Sequence, residues 1–262
     1  MKANNLNMYY EIHGKGFPLV MIMGLSANVY WWDPPFLEEL ARHFQVLIFD
    51  NRGVGRSDDP QVDFSIKTMA EDLAALMDAI DIRRSHILGI SMGGMIAQEF
   101  VLNWPERVEK LVLCATNCGG AEQKLASDDA LQTLMSFAQR EHDQELVKEA
   151  LPLLLSDDFI TENPKWIEER TADILKIPTT PSSYGRQLGA IMNFYTFERL
   201  ESITSPTLVL HGKKDILVPP ENAEILAAKI PGAKLALFEN SAHLIFSQET
   251  QMVTNAIIEF LR

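Results

Sequence analysis

The residues Gly89-Ile90-Ser91-Met92-Gly93 form a G-x-S-x-G pattern between an apolar run and a stretch with helical periodicity. A strand that turns sharply into a helix leaves little room beside its central serine, so glycine at positions 89 and 93 would remove two collisions. The turn would hold Ser91 in a strained conformation with its hydroxyl exposed at the sheet edge. The pattern predicts a nucleophilic serine, although taken alone it also fits a glycine-rich turn with an incidental serine.

A serine hydroxyl is a weak nucleophile until a base accepts its proton, and a carboxylate usually orients that base. His243 is the candidate base because it lies in a loop between a predicted strand and the final helix. Loops at the carboxyl ends of strands are where functional residues gather in α/β proteins. The remaining histidines are better explained by structural roles: His13, His43, His86, His142 and His211.

Asp215 is the candidate carboxylate, since it follows the predicted strand Thr207 to Leu210 and is the only acidic residue in its loop. Glu239 is the alternative, because it is close to His243 in the sequence. Asp50 also follows a predicted strand, but it stands in a cluster of turn-forming residues. We expect that cluster to be a tight structural loop in which Arg52 is the partner of Asp50.

A tetrahedral intermediate carries a negative oxygen, which two fixed backbone N–H groups can stabilise. One donor is expected from Met92, directly after Ser91. The other is expected from Leu25, in the turn Gly24-Leu25-Ser26, where glycine permits a close approach to Ser91. An ordinary turn at the end of a strand would also explain Gly24.

Short apolar runs alternate with longer runs of helical period, which predicts a mainly parallel sheet covered by helices. A polar hairpin around Leu6 to Ile12 is expected to open the chain. The predicted strands are Leu19 to Met23, Gln45 to Asp50, Ser85 to Ile90, Val108 to Ala115, Thr207 to Leu210 and Lys234 to Phe238. The predicted helices between them are Phe36 to Phe44, Thr68 to Ile80, Met92 to Leu102 and Thr250 to Leu261.

From about Cys118 to Ser205 the alternation stops and only helix-like segments occur: Leu125 to Arg140, Gln144 to Leu155, Pro164 to Leu175 and Ser182 to Phe197. We therefore expect a core domain of residues 1–117 and 206–262, with an all-helical cap of residues 118–205 inserted between two core strands. Long connections above strand ends often carry function. The residues expected to line a substrate pocket are Met192, Phe194, Tyr195 and Leu244.

Hydrophobic residues make up 47% of the 262 residues and charged residues 23%, as in folded globular proteins with a large core. The formal charge of −13 argues against nucleic acid or an anionic membrane as a partner, because both would be repelled. Two cysteines do not make a disulfide framework, and neither a metal nor a cofactor is expected. No leader-like segment or apolar run of membrane-spanning length is seen, so we expect a soluble, cytoplasmic protein. The oligomeric state is left open.

The order Ser91, Asp215, His243 resembles that of the α/β-hydrolase fold family, and the resemblance covers nearly the whole chain. The segments Asp50 to Ser57 and Asn103 to Val108 are also similar to family segments. Serine at position 91 differs from the aspartate of dehalogenase-like members, and the stretch from Ser91 to Gly94 resembles haloperoxidase-like and enol-lactonase-like members. Many members have histidine before the glycine of the oxyanion turn, whereas Met23 stands there in this chain.

The resemblance implies a serine hydrolase that cleaves small-molecule carboxylic esters of small to medium apolar acyl groups through an acyl-enzyme. The same triad would also suffice for hydrolysis of a lactone or of a carbon–carbon bond in a product of aromatic degradation. A third hypothesis is a ligand-binding protein with very slow turnover, in which movement of the cap is the signal.

Overall fold

The computed structural model describes all 262 residues. Seven strands form the central sheet in the order β3-β5-β4-β6-β7-β8-β9, and only β3 runs antiparallel to its neighbour. The predicted mostly parallel α/β sheet is therefore confirmed. The strands of the chain are β1 (Lys2–Ala3), β2 (Leu6–Asn7), β3 (Tyr10–His13), β4 (Pro18–Ile22), β5 (Gln45–Phe49), β6 (Ser85–Ile90), β7 (Val108–Cys114), β8 (Thr207–Gly212) and β9 (Lys234–Phe238).

Helices cover both faces of the sheet. Because successive side chains of a strand point to opposite faces, each central strand contributes to the apolar clusters on both sides. On β4, Val20 and Ile22 belong to one apolar cluster with α2, α3 and α9, whereas Leu19 and Met21 belong to another with α1, α10 and α11. These helices are α1 (Pro34–Ala41), α2 (Ile66–Ala79), α3 (Met92–Asn103), α9 (Glu221–Lys229), α10 (Ile245–Gln248) and α11 (Thr250–Leu261). None of the helices has the length and apolar character needed to cross a bilayer.

Five helices lie between β7 and β8: α4 (Asp128–Ser136), α5 (Gln144–Leu154), α6 (Asp157–Glu162), α7 (Pro164–Ile174) and α8 (Pro181–Met192). We call residues 118–205 the cap. Four of these helices begin at a Ser, Asp or Thr side chain that accepts a hydrogen bond from the first turn: Ser127, Asp143, Ser156 and Thr180. A third apolar cluster of seven buried residues joins α4, α5 and α8, and Leu25 and Leu217 of the core pack against it.

Several element boundaries differ from those expected. The opening hairpin pairs Lys2–Ala3 with Leu6–Asn7, and the chain then joins the main sheet at Tyr10–His13. Helix α6 was not expected; its Ser156 cap separates it from α5. Helices α9 and α10 were not expected either. Helix α8 ends at Met192, five residues before the expected end at Phe197.

Candidate active site

Ser91 occupies a sharp turn between β6 and α3, with φ of 56° and ψ of −124°. The two flanking glycines are required there: a Cβ atom at Gly89 would lie 2.2 Å from the carbonyl oxygen of Gly93, and one at Gly93 would lie 2.1 Å from that of Ile22. The hydroxyl of Thr116 donates a 2.7 Å hydrogen bond to the carbonyl oxygen of Ser91. The turn therefore holds Ser91 in a conformation that residues with side chains rarely adopt.

His243 and Asp215 are buried and joined by a 2.8 Å hydrogen bond between Nδ1 of the imidazole and Oδ2 of the carboxylate. Burial alone would raise the pKa of Asp215, but the positive charge that His243 can carry and a hydrogen bond from His211 lower it to about 2. The carboxylate is thus ionised at neutral pH and accepts a hydrogen bond from the N–H at Nδ1 of His243. Nε2 of His243 is consequently the nitrogen free to accept a further proton.

His211 is a residue whose role was missed in the sequence, where it was assigned to the fold alone. It is fully buried, and its Nε2 lies 3.1 Å from Oδ2 of Asp215 and 2.7 Å from the carbonyl oxygen of Val218. The other carboxylate oxygen, Oδ1, accepts the backbone N–H groups of Leu217 and Val218. His211 is the second-last residue of β8 and lies four residues before Asp215, and this spacing at one strand end was the available signal.

The other acidic candidates lie elsewhere. Glu239 is on the surface and forms an ion pair with Lys213. Asp50 is buried, but its carboxylate accepts the backbone N–H groups of Val29 and Arg56 and does not pair with Arg52. That expected pairing was wrong, because Arg52 binds both carboxylate oxygens of Asp72 on α2 instead.

The turn after β4 lies directly against Ser91. A Cβ atom built on Gly24 would be 3.1 Å from Cβ of Ser91 and 3.6 Å from its hydroxyl oxygen. The backbone N–H of Leu25 donates no hydrogen bond within the protein. Met92 is the first residue of α3, so its N–H has no acceptor in the helix either. Two unpaired donors are thus available beside Ser91, one of them at the positive end of a helix dipole.

Ser91 and His243 open into a cavity of about 460 Å³ between the core and the cap. Of its 38 lining residues 27 are hydrophobic, and they come from both the cap helices and the core loops. Pockets of ~300–1,000 Å³ suit small organic ligands, and an apolar lining with few polar groups favours an apolar ligand. Besides Ser91 and His243, the lining residues with polar side chains are Ser26, Asn28, Asn117, Gln123, Lys124, His142 and Thr179.

The structure brings only two of the four expected pocket residues to this cavity. Leu244 lines it beside His243, and Met192 lines it with 68% of its surface exposed. Phe194 and Tyr195 do not line it, because α8 ends at Met192 and Tyr195 then forms a bridge with Gly119. The bridge directs Phe194 into the apolar cluster around α3, while Tyr195 lies at the surface.

Cys114 and Cys118 do not compete with Ser91 as nucleophiles. Both are buried, and burial raises the pKa of Cys114 to about 12 and that of Cys118 to about 11. Both are therefore protonated thiols at neutral pH, which is the unreactive form. No group of three or more His, Cys, Asp or Glu side chains is arranged to hold a metal ion.

Residues 18–250 match the family described as the alpha/beta hydrolase fold. The chain belongs to this family. It is 34% identical, over 98% of its length and 95% of the relative's, to RutD of Azorhizobium caulinodans, which carries a provisional name as a carbamate hydrolase. It is 29% identical to a poly(3-hydroxyalkanoate) depolymerase of Ectopseudomonas oleovorans, over 94% of this chain and 84% of that one. A thermophilic esterase from Thermogutta terrifontis superposes with a TM-score of 0.84 at 28% identity, covering 98% of this chain and 93% of the esterase.

These relatives share hydrolysis, so the chain is an alpha/beta hydrolase. The substrates in their names differ, which is expected of a fold that presents many different sites on one core.

Proposed function

We propose that the protein is a serine hydrolase of carboxylic esters with small to medium apolar acyl groups. The observation that carries this proposal is the set of residues brought together at the apolar cavity. A strained Ser91 and the imidazole held by Asp215 both line it, and the N–H groups of Leu25 and Met92 have no partner within the protein. Nucleophile, base, orienting carboxylate and oxyanion donors together meet the requirements of acyl transfer.

In the proposed mechanism the hydroxyl oxygen of Ser91 attacks the ester carbonyl carbon while Nε2 of His243 accepts the hydroxyl proton. Leu25 and Met92 donate to the negative oxygen of the tetrahedral intermediate. The carbon–oxygen bond to the alcohol then breaks, and His243 gives its proton to the leaving alcohol. Water then attacks the acyl carbonyl carbon while Nε2 of His243 accepts a water proton. The bond from that carbon to the oxygen of Ser91 breaks, and His243 returns the proton to this oxygen as the carboxylic acid leaves.

The cavity favours an ester over the carbamate named for the 34% identical relative. A carbamate is attacked at its carbonyl carbon by the same chemistry, but a small polar carbamate would leave most of this apolar lining without a contact. An acyl chain would instead remove that apolar surface from water, at roughly 25 cal/mol per Å². The lining therefore supports acyl groups larger than acetyl.

Hydrolysis of p-nitrophenyl esters from acetate to decanoate by wild type and Ser91→Ala tests the proposal. We expect an optimum at a chain length above acetate in wild type and only background hydrolysis in the variant, because loss of a serine nucleophile costs many orders of magnitude. A Ser91→Ala protein with unchanged turnover would show that Ser91 is not the nucleophile. Activity on lactones or carbamates alone would move the assignment to those substrates.

A further inference from the structure

The turn that carries Leu25 has a conformation that needs support. Ser26, the next residue, has φ of 58°, in the left-handed region that non-glycine residues rarely occupy. Such a conformation persists only where neighbouring groups hold it. The N–H of Leu25 shares its peptide unit with the carbonyl oxygen of Gly24, which accepts a 3.3 Å hydrogen bond from the N–H of Ala27. Because Ser26 lies between Leu25 and Ala27, the direction of the Leu25 N–H depends on how Ser26 is held.

The side chains that support Ser26 come from the cap. Gln187 on α8 is fully buried, and its Oε1 accepts a 2.7 Å hydrogen bond from the backbone N–H of Ser26. Its Nε2 donates a 3.1 Å hydrogen bond to the carbonyl oxygen of Arg52. One partner is a donor and the other an acceptor, so the orientation of the amide is determined by the network.

A second cap side chain holds the other side of the same residue. The hydroxyl of Thr179 donates a 2.7 Å hydrogen bond to the carbonyl oxygen of Ser26. Cap side chains thus bind both backbone polar groups of Ser26. On the core side, the side chain of Asn51 donates a hydrogen bond to the backbone carbonyl oxygen of Met23. The buried side chain of Met23 itself makes no hydrogen bond to the turn.

We propose that Gln187 is a positioning residue that sets the direction of the Leu25 N–H, so that the cap completes the oxyanion site of the core. The inference rests on the proposed function and identifies what holds one of its two donors. A displacement of α8 would break the contacts to Ser26 and Arg52 together. Turnover of any substrate in the cavity then requires α8 to be packed against the core.

Three variants on the same side of the cap test this role. Gln187→Met removes both hydrogen bonds at similar volume. Gln187→Glu keeps an acceptor for the N–H of Ser26. Ser183→Ala is the matched control, because Ser183 is also buried on α8 and bonded to the core through Asp59, yet it touches neither the turn nor the cavity.

We expect Gln187→Met to lower kcat for the best p-nitrophenyl ester by at least tenfold, with KM within about twofold of wild type, since removing an oxyanion donor outright costs ~10²–10³. Gln187→Glu should recover part of this loss, and Ser183→Ala should keep the wild-type kcat. A purely structural role would instead lower the melting temperature of Gln187→Met and Ser183→Ala alike and leave kcat per folded molecule unchanged.

Binding of hexylboronic acid and of hexanoate, measured by calorimetry, gives a readout that does not need turnover. The boronic acid forms a tetrahedral adduct with the serine and uses the oxyanion donors, whereas hexanoate does not form an adduct. We expect Gln187→Met to weaken binding of the boronic acid by the same factor as it lowers kcat, and to leave binding of hexanoate unchanged. Equal binding of the boronic acid by wild type and a folded Gln187→Met would overturn the inference. A wild type that neither hydrolyses esters nor binds the boronic acid would refute the proposed function and the role of Gln187 with it.

Discussion

Gly93 separates the two backbone segments that carry the proposed oxyanion donors. It is the second residue of α3, and a Cβ atom there would lie 2.1 Å from the carbonyl oxygen of Ile22 and 2.8 Å from that of Met23. Both oxygens are backbone atoms at the end of β4, so neither can rotate away as a side chain would. Gly93→Ala is therefore expected to force the end of β4 and the start of α3 apart.

The required displacement is about 1.3 Å, from 2.1 Å to the 3.4 Å at which ordinary contacts begin. Overpacking of this kind costs typically ~1–3 kcal/mol of stability. The same movement separates the N–H of Leu25 from that of Met92, and a misplacement of about 1 Å can cost ~10²-fold in rate. We expect Gly93→Ala to lose about 2 kcal/mol of unfolding free energy and at least ~10²-fold in kcat.

Gly189→Ala is the matched control. Gly189 lies inside α8 with no atom within 4 Å of an added Cβ, so alanine there should stabilise the helix by about 0.5–1 kcal/mol. Urea unfolding and ester kinetics on both variants check the pair. Wild-type kcat in a folded Gly93→Ala protein would refute the argument. If Gly93→Ala does not fold, Gly24→Ala, with its milder 3.1 Å contact to Ser91, tests the same separation.

Three other changes have expected outcomes. Burial, together with the charges of Lys110 and Arg84, lowers the pKa of His86 from 6.5 to about 4. As pH falls, His86 is therefore protonated in the unfolded chain before it is protonated in the folded protein. Up to about 3 kcal/mol of stability is lost between pH ~6.5 and ~4 for this reason. In His86→Phe, the urea midpoint of unfolding should depend less on pH across that window. His211→Phe should lower kcat about tenfold at constant KM, because Asp215 loses one donor; an unchanged kcat would limit His211 to a structural role. Leu153→Trp, which fills part of the cavity, should move the ester optimum to shorter chains without altering the rate on acetate.

The sheet and the turn at Ser91 could be predicted because their signals are local. Alternating apolar runs mark the strands, and glycines at positions 89 and 93 mark a crowded turn whatever follows elsewhere in the chain. The positions of Asp215 and His243 were predicted in a similar way, since the carboxyl ends of parallel strands meet at one edge. The family match and the sheet topology confirm the predicted family membership and the predicted α/β fold.

The lining of the cavity could not be predicted, because it depends on where a helix ends and which side chains then face the core. Phe194 and Tyr195 lie in the predicted helix Ser182 to Phe197, where aromatic residues and methionine cluster, and they were expected to line the pocket for that reason. The helix instead ends at Met192, and Tyr195 then forms a bridge with Gly119, a residue far away in the sequence. Tertiary pairing overrides local periodicity at such a point.

The contacts of Gln187 show that the cap also binds the core turn at Ser26, which the periodicity of the sequence cannot reveal. Ser26 and Gln187 are 161 positions apart, and a glutamine on a helix carries no signal that it binds a turn in another part of the chain. The cap must therefore satisfy two separate requirements: it shapes the apolar cavity, and it holds the Ser26 peptide through Thr179 and Gln187. A cap redesigned only for its lining residues would change the acyl preference and lose kcat on every substrate, unless acceptor and donor groups remained at positions 187 and 179.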